Sequence, residues 1–174
     1  MELLTVGHGA ADRERLGELL AGAGVTLVVD VRRFPASRTN PDVRCEELAR
    51  WLLAAGVDYR WEQRLGGRRH TPAGTDEPDT WWTVAAFRAY AAYTRTADFR
   101  TALEAVLADA AARTTAVMCS ESVWWRCHRR LIADVAVLGR GVPVSHLMPD
   151  GRLTPHRPAE GARQLPDGDL IWDA

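Results

Sequence analysis

The run Val25-Thr26-Leu27-Val28-Val29-Asp30-Val31-Arg32 constrains the fold more than any other part of the chain. It is apolar and β-branched almost without interruption, the pattern of a strand covered on both faces. Such a strand needs helices on each side of its sheet. Thr114-Thr115-Ala116-Val117-Met118-Cys119 has the same character, and shorter strands are expected at Thr5-Val6, over 57–61 and over 142–147. Helical patterns lie between them. The first spans 10–23, with Leu16, Leu19 and Leu20 on one face and Gly22 and Gly24 at its end. Others span 45–55, 81–93, 97–112 and 127–138. Residues 65–79, rich in Gly, Pro, Arg and His, read as loop. Strands alternating with helices predict an α/β three-layer sandwich with a mainly parallel central sheet of about five strands and helices on both faces. A single domain over 1–174 is expected. Its core covers about 1–148, and a tail over 149–174 packs back through Leu170-Ile171-Trp172.

Composition excludes several functions. With 174 residues and 47% hydrophobic content, the chain suits one sizeable core. No run approaches the roughly 18 apolar residues of a membrane span. The opening Met1-Glu2-Leu3-Leu4 lacks the basic-then-apolar pattern of a signal peptide, so a cytoplasmic protein without a membrane partner is expected. A net charge of -1 argues against a general nucleic-acid coat but leaves a local basic site open. All 22 basic residues are Arg, which removes Schiff-base chemistry on Lys and the Walker-type phosphate loop. Three cysteines without a CxxC pair argue against a disulfide framework, a zinc ribbon or a thioredoxin motif.

Ligands of open parallel sheets bind beyond the carboxyl ends of the strands. Four strands here end in polar residues: His8, then Asp30 with Arg32, then Cys119 with Glu121, then His146. The densest cluster is Cys119-Ser120-Glu121-Ser122-Val123-Trp124-Trp125-Arg126-Cys127-His128-Arg129-Arg130. A helix starting near Arg126 would set Cys127 in its first turn, where free N–H groups and the dipole favour an anion or a thiolate. The alternative is structural, with Cys127 packed on the sheet and His128 capping a loop. A phosphatase loop fails on register, because Trp125 stands where its Arg is required. Cys119, Cys127, His128, His8 and His146 are soft ligands that suit zinc or iron. No standard spacing is present, so no residue is assigned to a metal and the cofactor stays open.

In Asp30-Val31-Arg32-Arg33-Phe34-Pro35-Ala36-Ser37-Arg38, a buried Asp30 needs a partner such as Arg32 or Arg38. The same arginines also suit an anion fork. Gly66-Gly67 allows a close backbone approach or simply a turn. Trp81-Trp82 and Trp124-Trp125 are read as lids on the core, with stacking on a nucleobase as the alternative. The catalytic candidates are His8, Cys119, Glu121, Cys127 and His128. The substrate- or anion-binding candidates are Arg32, Ser37, Arg38, Gly66, Gly67, Arg129 and His146.

At these residues the chain resembles the DUF488 family of proteins. The resemblance is carried in order by Thr5-Val6-Gly7-His8, Asp30-Val31-Arg32, Pro35 with Ser37-Arg38, Tyr59, Leu65-Gly66-Gly67, Phe87 with Tyr90, Met118-Cys119 with Glu121, Cys127-His128-Arg129 and His146. It implies a compact α/β domain and carries no activity with it. Two departures stand out. The family usually has Ser after the first His, where this chain has Gly9, and a Trp pair lies between Cys119 and Cys127. Two functions fit the residues. One is an enzyme acting on a phosphate- or nucleobase-containing substrate. The other is a noncatalytic nucleotide- or anion-sensing or metal-binding module using the same pocket. Either partner is a small anionic or nucleotide-like ligand, and net charge does not support nucleic acid.

Overall fold

A computed structural model describes residues 1–72 and 74–174; Ala73, inside the loop expected over 65–79, lies outside the described residues. The strands β1 (Leu3–Gly7), β2 (Leu27–Asp30), β3 (Asp58–Trp61), β4 (Thr115–Cys119) and β5 (Val144–Leu147) form a parallel sheet. A sixth strand, β6 (Leu153–Pro155), joins β5 antiparallel, and the strand order is β3-β2-β4-β1-β5-β6. The sheet therefore exceeds the expected five strands by one, supplied by the tail.

The continuous apolar runs become strands covered on both faces, as their lack of alternation requires. Val28, Ala116 and Met118 pack on one side with α1 (Arg13–Gly22) and α2 (Cys45–Ala54). Val29, Val117 and Cys119 pack on the other with α3 (Ala85–Thr94), α4 (Ala97–Ala112) and α5 (Arg129–Asp134). Helix α1 is capped by Asp12, whose side chain accepts from the Arg15 N–H at 2.9 Å.

Three helices start later than their patterns predict, α1 because Asp12 caps it and Arg13 is its first residue. Trp81 and Trp82 precede α3 because they belong to an aromatic cluster with Trp172, and the Trp81 N–H donates to the Trp172 carbonyl. Helix α5 starts at Arg129 because Trp124–Arg126 form a 3₁₀ turn and Cys127 is extended. A π-turn over Val135–Gly139 continues α5.

The tail also forms a hairpin, β7 (Ala162–Gln164) with β8 (Leu170–Trp172), and Trp172 is fully buried. Asp134, at the end of α5, accepts from Trp172 Nε1 (2.9 Å), the Ala159 N–H (3.1 Å) and His156 Nε2 (2.7 Å). No helix among the described residues is long and apolar enough to cross a membrane.

Candidate functional site

Register decides which side chains meet. Gly7 lies opposite Cys119, and Asp30 lies opposite both Met118 and Trp61. The residues just past β1, β2 and β4 therefore share one edge of the sheet. A cleft of about 800 Å³ opens there, between the connection after β2, the Gly67-Arg68 segment, α3 and the loop from β4 to α5. His8, Arg32, Ser37, Arg38, Gly67, Cys119, Glu121, Cys127 and His128 all line it.

Cys119, Cys127 and His128 form its floor, with their donor atoms all within 4.8 Å of one another. His128 Nδ1 lies 3.6 Å from Cys127 Sγ and 3.8 Å from Cys119 Sγ. His128 Nε2 donates to the Val31 carbonyl at 3.2 Å, which turns Nδ1 toward the two sulfurs. Arg129 is buried beneath this group; its Nε donates to Cys127 Sγ at 3.5 Å and its Nη2 to the Glu121 carbonyl at 2.5 Å. Burial opposes ionisation of Cys127, but the hydrogen bond from Cys119 and the charge of Arg129 outweigh it and lower the thiol to about 6. The same bond to Cys127, together with burial, pushes Cys119 up to about 12. Of the two thiols, Cys127 is therefore the more easily ionised.

Arg32 and His8 stand beside this floor. Arg32 donates from Nε and Nη2 to the two oxygens of the fully buried Asp30 (2.9 and 2.6 Å), and also to the Val43 carbonyl. Tyr59 Oη donates to the same carboxylate at 2.8 Å. Most of the Arg32 fork is thereby used inside the fold. Its Nη1 reaches His8 Nε2 at 3.3 Å, while His8 Nδ1 donates to the Gly9 carbonyl. Burial and the neighbouring Arg32 lower the His8 pKa, so its ring is neutral at neutral pH.

Three expected site residues do not line the cleft. His146 pairs with Thr5 inside the sheet, two residues short of the rim, and is buried. Its ring stacks on Trp124 (4.3 Å between centroids, 7° between planes) and bonds to Thr5 and His156. Gly66 packs against the Arg33 backbone. Arg129 lies under the floor instead of facing a ligand. The expectation that Cys127 sits in the first turn of a helix is also corrected: it precedes α5, and its N–H is taken by the Trp124 carbonyl.

Two of the close approaches that require glycine shape the cleft. A Cβ on Gly7 would overlap the Glu121 carbonyl, so only glycine lets the β4–α5 loop cross the end of β1. A Cβ on Gly67 would lie 2.9 Å from His128 Nδ1, so this backbone packs directly on the imidazole. Neither residue of the Gly66-Gly67 pair has a positive φ, which makes the pair a packing surface and not a left-handed turn. The space left by Gly9 is taken by the Ser122 hydroxyl.

From the sequence alone Arg126 supplies only general positive charge, and Arg33, Arg68 and Phe34 carry no assigned role. Arg33, Arg68 and Arg126 join Arg38 around the cleft, and none of the four pairs with a carboxylate among the described residues. Phe34, 62% exposed, and Phe87 and Tyr90 give the cleft an aromatic side. The signal available was the density of Arg in the segments after β2 and before α5.

The family model described as Domain of unknown function DUF488 matches residues 12–136. The chain belongs to the DUF488 family. The DUF488 match takes in β2, β4, the β4–α5 loop and the Cys119–Cys127–His128 floor, and leaves β1 with His8 and β5 with His146 outside it. No curated protein and no solved structure matches the chain.

Proposed function

We propose that the cleft is the active site of an enzyme acting on a small anionic, nucleotide-like substrate. One observation carries this reading. Four guanidinium groups without carboxylate partners (Arg33, Arg38, Arg68 and Arg126) surround a cleft whose floor is a Cys–Cys–His cluster. Among the described residues Glu121 is the one carboxylate lining that cleft, so local charge is strongly positive although the whole chain carries -1. Arginine forks suit phosphate and carboxylate, and the exposed Phe34 ring suits a flat base beside them. Cys119, Cys127 and His128 supply the reactive end. His8 and Glu121, on the same cleft, are the groups suited to move a proton.

The test uses inorganic phosphate and a panel of nucleoside monophosphates with the full-length protein. At about 100 times its dissociation constant a bound compound stabilises the fold by about 2.7 kcal/mol, several degrees in melting temperature. Arg38→Ala and Arg126→Ala are expected to lose most of that shift. Cys127→Ser is expected to keep it while losing any mass change in the bound compound. No shift with any of these compounds at millimolar concentration, or shifts indifferent to both arginine substitutions, would overturn the reading.

A further inference from the structure

We infer that Cys119, Cys127 and His128 form a three-ligand site for a zinc-class divalent metal, with its fourth position open to the cleft. The inference deepens the reading above and rests on it for the ion's role, though not for the binding itself.

The donor geometry is the first support. A tetrahedral zinc has bonds of about 2.3 Å to sulfur and about 2.0 Å to nitrogen, which puts such ligand atoms about 3.6 Å apart. The two sulfur–nitrogen separations here are 3.6 and 3.8 Å. All three donors already lie within 4.8 Å of one another. Closing the sulfur pair onto a shared ion takes no more than about an ångström of side-chain movement.

The surroundings are the second support. A ligating histidine commonly donates its other ring N–H to a carbonyl, which fixes the ring and its tautomer. His128 does this through Nε2 to Val31, and the Gly67 backbone packs against the ring. Arg129 Nε donates to Cys127 Sγ from below, the contact that steadies a coordinated thiolate. No carboxylate belongs to the group, so hard oxygen-seeking ions are disfavoured and soft ones favoured. Both sulfurs bind as thiolates, with any thiol proton released to solvent, and their two charges neutralise a divalent ion.

Openness is the third. A structural zinc is closed by four protein ligands, whereas a catalytic zinc keeps three and leaves one position for water or substrate. Only three donors converge here among the described residues, and all three line the cleft. The open position therefore faces the space ringed by Arg38, Arg68 and Arg126. A substrate oxygen or a water placed there would be polarised by the ion.

The experiment uses untagged full-length protein, stripped with chelator and titrated with Co²⁺, then Zn²⁺. Thiolate-to-cobalt charge-transfer absorption that saturates at one ion per chain and is displaced by Zn²⁺ is the expected result. Cys119→Ser and Cys127→Ser should each weaken binding by at least about 100-fold. Cys45→Ser, at a cysteine bonded to Tyr59 and outside the group, should leave the spectrum unchanged. If a serine variant fails to fold, the wild-type and Cys45→Ser spectra still decide, because only two other cysteines remain. Absence of charge-transfer absorption from the folded wild type, or its loss in Cys45→Ser, overturns the metal site. Phosphate-induced stabilisation of the stripped protein, compared between wild type and Arg38→Ala, is scored separately. Its failure counts against the active-site reading and leaves the metal site standing; its success without cobalt binding does the reverse.

Discussion

Two residues outside the proposed chemistry fix the geometry of the cleft. Asp30 is fully buried and accepts from Arg32 and Tyr59. Converting it to Asn leaves Arg32, only 6% exposed, as a buried cation without its counter-charge. Breaking a buried pair in this way costs about 3–5 kcal/mol. Asp30→Asn should lower the urea midpoint accordingly, with the denaturant slope unchanged. Gly7 acts through shape. The Glu121 carbonyl occupies the place of its missing Cβ, and the same carbonyl receives Arg129 Nη2. Gly7→Ala therefore has to displace the loop carrying Glu121. Overpacking of this kind costs about 1–3 kcal/mol, and the loss should appear in the same denaturation experiment. An unchanged midpoint would mean that the loop moves freely, contrary to its anchoring by Arg129.

At the scale of elements, the apolar runs revealed the sheet and the connections after the strands revealed part of the site. The runs at 25–32 and 114–119 lack alternation because both faces of β2 and β4 are covered, and that property is local and readable. His8, Arg32 and Cys119 meet because consecutive parallel strands end on the same edge, which also follows from the pattern. His146 does not follow. A strand's ends are the least certain part of any pattern, and β5 runs one residue past His146 while its register sets that residue beside Thr5. Arg68 and Phe34 were illegible as site residues because loop paths depend on tertiary contacts, such as Arg33 Nη1 donating to the Arg68 carbonyl. Cys119, Cys127 and His128 were legible among five soft ligands, but that these three group without His8 and His146 was not, because it depends on the 3₁₀ turn over Trp124–Arg126 that carries Cys127 back to Cys119. The tail was legible in its packing through Leu170-Ile171-Trp172 but not in its strands. Its Pro- and Gly-rich sequence conceals β6 and the β7–β8 hairpin. Trp172 is fully buried against Trp82, with its indole N–H on Asp134. Trp172→Ala removes that packing and leaves an acceptor on Asp134 unfilled, so a loss of about 3–5 kcal/mol is expected by urea denaturation.

Across the whole molecule, two buried histidines link stability to acidity in a way that separates the core from the cleft. His146 lies among Thr5, His156 and Trp124, and burial, then the charge of His156 and that of Arg129, lower its pKa from 6.5 to about 3. His8 is shifted in the same direction, by burial first and Arg32 next. The unfolded chain therefore binds protons on these rings at a higher pH than the folded chain does. Stability rises with pH wherever the unfolded state holds more protons. The stabilisation from His146 is thus fully present above about pH 6.5 and is lost progressively as pH falls from there toward 3. Between pH 7 and pH 5 that loss amounts to about 2 kcal/mol for His146 alone. Chemical denaturation across this interval should show the decline. His146→Phe, which keeps an aromatic ring against Trp124 but cannot titrate, should flatten the slope even if its absolute stability is lower. A slope identical in the variant would mean that His146 is protonated in the folded protein near its ordinary pKa, and that the chain from Thr5 through His146 and His156 to Asp134 carries a buried positive charge.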